Sequence, residues 1–191
     1  AGIISTLDTL EQDLPADKNN NDMKEALNIC IERSYNMSKF ITNFADVVKI
    51  PKAQLIPTNI NRRIEISQRF MEVICHSRNI RLHFTPDKKM PDLPLDSTLF
   101  DQVLQNIIKN AVESIEHNGD IFITTDSETN SLIIADNGKG INKEAEGKLF
   151  NPFFSTKKSG QGIGLLFIRD VLTQHNCFYS LQTGRDGLTR F

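Results

Sequence analysis

Membrane-length apolar runs, paired cysteines and an excess of either charge are all missing from this chain of 191 residues. No stretch approaches the ~18 consecutive apolar residues of a membrane-spanning helix, and no signal-peptide pattern is visible, so no direct membrane contact is expected. Lys and Arg number 22 against 24 Asp and Glu, a formal charge of −2. That balance argues against nucleic acid as a partner, because general nucleic-acid binders carry a basic surface. The three cysteines, Cys30, Cys75 and Cys177, are far apart and odd in number. They supply neither a disulfide framework nor a metal-ligand pair, and they point to a reducing compartment. Each is expected to be a buried small apolar side chain.

What is present is ordinary for a globular protein: 39% hydrophobic and 24% charged residues, too apolar for a disordered chain. The length suits one large domain or one domain with an appendage. The chain opens at Ala1 inside a periodic apolar stretch and closes on Gly187-Leu188-Thr189-Arg190-Phe191, which reads as a strand cut short. A fragment of a longer protein is therefore expected.

The first fifty residues have a helical rhythm. Ile3, Leu7, Leu10 and Leu14 recur every three or four positions, Pro15 ends that helix, and Asn19-Asn20-Asn21-Asp22 supplies a turn and an N-cap. Met23, Leu27, Cys30, Ser34, Met37, Ile41, Phe44 and Val48 then alternate steps of four and three as a heptad seam. Ile31, Phe40 and Val47 widen the stripe. Two such helices form a hairpin that cannot bury so broad a face alone. A homodimer through the hairpin, completing a four-helix bundle, is the expected solution. Pro51 and Pro57 bracket a short linker, which divides the chain into residues 1–56 and 57–191.

Beyond the linker the pattern becomes α+β. Residues 61–76 read as a helix and 81–84 as a short strand, and Pro86, Pro91 and Pro94 stiffen the connection that follows. Ser97 is a candidate cap for a helix running to about Glu116 and closed by Asn118-Gly119. Residues 121–125 and 132–135 are β-rich, with a turn at Thr129-Asn130. Residues 137–162 lack a sustained period, residues 165–175 are helical, and Phe178 to Leu181 reads as a strand.

Four motifs carry chemistry. Asn106 and Asn110 lie at i and i+4 on one helix face, opposite Leu104, Ile107, Ile108 and Val112. Their amide oxygens are neutral hard ligands, suited to Mg²⁺ when phosphates bring the negative charge. Asp136-Asn137-Gly138-Lys139-Gly140 follows a strand directly. Its carboxylate can accept from an exocyclic amine, and its glycines allow close backbone approach. Leu149 to Lys157 sets three phenylalanines in a polar loop, the pattern of a lid that docks and undocks. Gly160-Gln161-Gly162-Ile163-Gly164-Leu165 opens a helix whose amides can hold phosphate. It is neither the dinucleotide G-x-G-x-x-G nor a P-loop. Each motif alone has an ordinary structural reading: a solvated helix face, a turn, core packing, a helix start.

Their order and spacing are specific. N-x-x-x-N-A, D-x-G-x-G, N-P-F-F-x-T-K and G-x-G-I-G-L resemble the N, G1, F and G2 boxes of the ATP-binding domain of sensor histidine kinases, within the wider group of DNA gyrase, Hsp90 and MutL. The resemblance runs from about residue 58 to the C-terminus, and the preceding hairpin resembles the family's dimerisation and histidine-phosphotransfer domain. It implies a Bergerat-type α/β sandwich with helices on one face of a mixed sheet. It also implies transfer of the γ-phosphoryl group of ATP to a histidine and thence to an aspartate of a response-regulator receiver domain. Residue by residue, it implies that Asp136 binds the adenine amine and that Gly138 and Gly140 shape the floor beneath the base. Asn110 and Asn106 would hold Mg²⁺, and Lys157 would reach the terminal phosphates. Gly160, Gly162 and Gly164 would form the hinge and the phosphate-binding helix start, and Thr189 would lie near the adenine. The implied location is cytoplasmic, with tethering of the parent protein left to segments outside this chain.

Two departures stand out. Glu113 occupies a position where many relatives carry a basic residue toward the phosphates. The phosphoacceptor is absent, for His76, His83, His117 and His175 all lie beyond the hairpin, and packing roles are expected for them. The chain is expected to begin just past its own phosphoacceptor and so to be unable to phosphorylate itself. A hydrolytic machine of the gyrase, MutL and Hsp90 kind is the alternative enzyme. The resemblance implies a water-activating Glu there, where this chain has Asn106, and a neutral amide is no general base. A nucleotide-sensing dimerisation module without turnover is the non-enzymatic alternative.

Overall fold

The computed structural model describes residues 6–7, 9–10, 21–48, 50–151, 154–155 and 162–191. It divides into two compact units, residues 1–49 and 50–191. The second unit begins ahead of the boundary read from the sequence, because Ile50 and Ala53 already pack against its core and the Ala53 N–H donates to Gln174 Oε1 at 2.8 Å.

In the first unit, residues 6–7 and 9–10 are helical and α1 spans Asn21–Val48. Ile3, Leu14, Pro15 and the turn before Asn21 lie outside the described residues. Met23 and Met37 of the seam are exposed, as are Ile29 and Tyr35 beside it. Cys30 is exposed as well.

The second unit alternates β and α elements: β1 Ile56–Thr58, α2 Ile60–Ser77, β2 Ile80–Thr85, β3 Leu93–Leu95, α3 Ser97–Ile115, β4 Gly119–Asp126, β5 Ser131–Asp136, α4 Lys143–Glu146, α5 Gly164–Gln174, β6 Gln182–Thr183 and β7 Thr189–Arg190. The main sheet has the order β2-β4-β5-β7-β6, while β1 and β3 form a separate ribbon. β2 runs parallel to β4, and the remaining pairs of the main sheet are antiparallel. It is the expected mixed sheet with helices on one face. Along β4, Ile121, Ile123 and Thr125 are buried while Phe122, Thr124 and Asp126 point outward, the period of two of a half-covered strand. α2 buries Ile60, Ile64, Ser67, Met71 and Cys75, one stripe at helical spacing.

α3 is the spine, buried along Leu99, Phe100, Val103, Leu104, Ile107, Ile108, Ala111 and Val112. It packs on α2 and α5 and on strands β4 and β5. Its cap is Asp96 and not Ser97: the Asp96 carboxylate accepts the N–H groups of Thr98 and Leu99 at 3.1 Å each. Asp96 holds the extended φ/ψ of a cap, whereas Ser97 is already helical. Leu93–Leu95, read as a rigid connection, is a strand because β1 pairs with it. Phe178 to Leu181 is not a strand. Phe178 is fully exposed and Tyr179 turns onto Phe150. The ladder instead uses the hairpin β6–β7, turned at Gly187, whose φ is 81°.

Candidate nucleotide site

β5, the central strand of the main sheet, ends at Asp136, beside the C-terminal end of α3. Its side chain is 7% exposed, and it accepts the Gly138 N–H at 2.9 Å. Burial pushes the carboxyl above its ordinary value. The Gly138 N–H and the Ser114 hydroxyl, which favour the ionised form, offset that only in part. No cation pairs with Asp136 among the described residues.

Gly138 is where the loop touches α3. A Cβ there would lie 2.3 Å from Ser114 Oγ and 2.7 Å from the Ser114 carbonyl carbon, so no side chain fits. The Lys139 N–H donates to the Ser114 carbonyl at 3.2 Å, and Asn137 Oδ1 accepts the Asp120 N–H at 2.9 Å. These bonds tie the turn to both α3 and β4. Gly140, at φ 76°, needs the left-handed conformation, and a Cβ on it would approach Thr183 at 3.3–3.4 Å.

Thr183 closes this end. Its Oγ1 accepts the Ile141 N–H at 2.8 Å and lies 3.1 Å from Thr189 Oγ1. Thr189 is buried and stands directly opposite Asp136 in the β5–β7 register. The structure therefore groups Asp136, Gly138, Gly140 and Thr189, all read from the sequence, and adds Ser114 and Thr183. Ser114 continues the i+4 series of Asn106 and Asn110, a signal that was available. Thr183 had no local signal, because the β6–β7 hairpin brings it there.

Toward the other end of α3, Asn106 Nδ2 donates to the Gln102 carbonyl at 2.9 Å, which leaves its Oδ1 as an acceptor. The Cβ position of Gly164, the first residue of α5, lies 3.7 Å from that oxygen. Ile163, the cap of α5, makes no side-chain cap bond, so the N–H groups of the first turn are not satisfied in that way. Gly162 has φ 66°. Asn110 follows one turn along α3. The amide oxygen beside an uncapped helix start suits Mg²⁺ carried by phosphates. No cluster of three His, Cys, Asp or Glu able to hold a metal exists among the described residues.

The segment between the two ends begins anchored. α4 is capped by Asn142, whose Oδ1 accepts the Glu144 N–H at 3.2 Å, and Leu149 is buried. The Phe150 ring meets Tyr179 at 4.9 Å and Phe191 at 6.3 Å, and its carbonyl accepts from Arg169 at 3.2 Å. Lys157 and Gly160, like Pro152, Phe153 and Thr156, lie outside the described residues. Of the cysteines only Cys75 is buried, while Cys30 and Cys177 are exposed. The expectation of three buried thiols fails because Cys30 sits on an uncovered face of α1 and Cys177 lies past the end of α5. No helix among the described residues is long and apolar enough to cross a membrane.

Residues 95–191 match the family described as histidine kinase-, DNA gyrase B- and HSP90-like ATPases. The sensor histidine kinase ZraS of Escherichia coli K12 is 30% identical over 142 residues, 73% of this chain and 30% of ZraS. The sensor protein TdiS of Thauera aromatica is 28% identical over 175 residues, 87% of this chain and 32% of TdiS. Among solved structures, the catalytic domain of the histidine kinase ThkA superposes with a TM-score of 0.63 at 28% identity, covering 72% of this chain and 91% of that domain. ThkA in complex with the response regulator TrrA gives 0.69 at 22% identity, covering 99% of this chain and 55% of that one. The chain belongs to the histidine kinase-, DNA gyrase B- and HSP90-like ATPase family, and its ATP-binding region is similar to those of sensor histidine kinases. It spans about a third of the length of the curated relatives it matches.

Proposed function

We propose that this chain binds Mg²⁺–ATP and presents its γ-phosphoryl group to a histidine carried on a helical bundle segment outside the chain, from which a response-regulator aspartate takes it. The observation that carries the reading is Asp136: a buried carboxylate with a backbone N–H and a hydroxyl for partners, standing where an external amine can complete its hydrogen bonding.

The residues divide the work along α3. Ser114 marks the base end and Asn106 the phosphate end, eight residues or about 12 Å apart at 1.5 Å per residue. At the base end Asp136 accepts from the adenine amine, Gly138 and Gly140 leave room for the ring, and Thr189 lies across the ladder. At the phosphate end the uncapped start of α5, with Gly160, Gly162 and Gly164, receives phosphate oxygens, and Lys157 reaches the terminal ones. Mg²⁺, when bound, neutralises phosphate charge and would be held by Asn106 and Asn110. Phosphoryl transfer needs positioning and charge neutralisation more than covalent help from the protein, and this residue set is suited to that work.

Residues 1–49 form the dimerising hairpin in this reading and 50–191 the catalytic domain, in a cytoplasmic setting. The exposed methionines of the α1 seam support a homodimer, since a second copy would cover them. The chain lacks a phosphoacceptor on its hairpin and therefore does not phosphorylate itself. Incubation with labelled ATP tests this. The expected result is nucleotide binding without covalent label, and label appearing on a separately supplied hairpin that carries a histidine. Acid-labile label on His76, His83, His117 or His175 would overturn the assignment.

A further inference from the structure

Residues 50–56 carry the chain into its second unit. Their short length and flanking prolines read as a linker, yet the segment is fastened at two points. The Ala53 N–H donates to Gln174 Oε1 at 2.8 Å, and the Gln54 N–H donates to Asp96 Oδ2 at 2.9 Å. These acceptors lie 121 and 42 positions away in sequence. Ile50 and Ala53 also pack against the core. Gln174 is the last residue of α5, and Asp96 is the cap of α3. The two holders are tied to each other, because the Asp96 N–H donates to Nε2 of His175, the residue that follows α5, at 2.9 Å.

Over this stretch α5 runs beside α3 in the opposite direction. Gly164, the first residue of α5, lies next to Asn106, and the other end of α5 meets Asp96 through His175. Each path is ten residues, about 15 Å at 1.5 Å per residue. One three-turn helix therefore has the phosphate end at its start and the entry segment at its finish. The finish is secured: the His175 N–H donates to the Val171 and Leu172 carbonyls at 3.1 Å each. The start has no side-chain cap bond, so phosphate oxygens that take up its N–H groups add order where α5 has least. We propose that Gln174 and Asp96 form a clip on the entry segment, and that nucleotide tightens this clip through α5. The inference rests on the reading of the α5 start as the phosphate end. Its two states are the clip with the Ala53 and Gln54 amides bonded and the clip with them released. Linkage makes the effect reciprocal, so a closed clip favours nucleotide by the factor with which nucleotide favours the closed clip. The device couples the way the chain enters its catalytic unit to the loading of that unit.

The test is residue-resolved amide hydrogen exchange on the whole chain, with and without saturating Mg²⁺–ADP, calorimetry establishing that ADP binds. The Ser127 N–H, held by Asp87 Oδ2 at 2.9 Å in a network that does not involve α5, is the control. Without nucleotide, Ala53 and Gln54 are expected to exchange more slowly than unprotected amides by roughly three- to tenfold or more, the worth of one hydrogen bond. ADP is expected to slow both by a further factor of about three while Ser127 stays nearly unchanged, because local openings are independent unless coupled. Gln174→Leu removes the acceptor. It should speed Ala53 by roughly three- to tenfold, shrink the effect of ADP on Ala53 to less than about twofold and weaken ADP binding by about two- to threefold through linkage. Gln174→Glu keeps an acceptor and should keep the effect of ADP. Should Gln174→Leu fail to fold by circular dichroism, Gln174→Ala removes the same group. Unprotected Ala53 and Gln54 in the wild type would overturn the clip. Bound ADP that leaves both amides unchanged, or slows Ser127 as much, would overturn the coupling and leave the nucleotide site in place. An undiminished effect of ADP on Ala53 in Gln174→Leu would overturn the role of Gln174. No binding of ADP by the wild type would overturn the nucleotide reading and the coupling with it.

Discussion

His175 Nε2 accepts the backbone N–H of Asp96 at 2.9 Å, while its Nδ1 donates to the Val171 carbonyl at 2.7 Å. The ring is buried and joins the end of α5 to the cap of α3, the two helices whose other positions build the phosphate end. Both ring nitrogens are committed, one as donor and one as acceptor, so the imidazole is neutral in this arrangement. It serves structure, as expected for the histidines of this chain.

His175→Leu keeps the volume and removes the acceptor, leaving the Asp96 N–H unpaired. The expected cost is about 1–3 kcal/mol, read as a lower midpoint in urea unfolding. ADP affinity in the folded protein should change much less, because neither nitrogen faces the site.

Asp136 sets an opposition between stability and binding. ADP should bind and GTP should not, because the Asp136 carboxylate would face the guanine carbonyl. Asp136→Asn should weaken ADP binding by about 1.5–3 kcal/mol, the worth of a charged hydrogen bond, or roughly ten- to hundredfold. The same substitution should raise the unfolding temperature of the nucleotide-free protein at pH 7. The folded-state pKa of Asp136 is raised by burial, so its ionised form is the destabilising one, and the penalty fades as pH falls through that pKa toward the ordinary carboxyl value. Calorimetry in ADP and GTP, and melting curves from pH 7 downward, check both halves. Equal affinity for ADP and GTP would contradict the role given to Asp136.

The acid limb of stability should depend on Asp87. Bonding with Ser127, then the Lys89 N–H, holds its carboxyl down to about 2 from 3.8, and Asp186 is held at about 2 chiefly by Arg190. A depressed folded-state pKa means that the ionised form favours the native state. This contribution is complete above about pH 4 and is lost as pH falls toward 2. Urea midpoints measured from pH 5 to 2 should decline over that window, and less steeply in Asp87→Asn.

Leu104, at 0% exposure, lies on the buried face of α3, two residues before Asn106. Leu104→Ala should cost about 2–5 kcal/mol through lost burial and the cavity left behind. Denaturant titration measures it, and a cost below about 1 kcal/mol would mean that the helix relaxes into the space.

Much of the architecture was legible in local pattern. The period of α3, its paired Asn residues, the alternation along β4 and the Asp-x-Gly-x-Gly turn are short-range features, and α2, β2, α3, β4, β5 and α5 formed within a residue or two of their expected bounds, whereas Phe178 to Leu181 formed no strand. The order of the four motifs carried the family. Weak or short elements were not legible: β1 and β3 have three residues each and exist because they pair with each other, and α4 has a single turn.

What the amino-acid sequence determined by itself is which residues have the chemistry, because side-chain type and helical or strand spacing are local properties. What only the tertiary structure decided is which of them meet. Asp136 and Thr189 lie 53 positions apart and become neighbours through the β5–β7 register. Thr183 joins them only because the chain turns at Gly187, and Gly164 reaches Asn106 only because α5 packs on α3. Contacts of that kind are fixed by hydrogen-bond ladders and core packing between distant segments, and no window of sequence contains both partners.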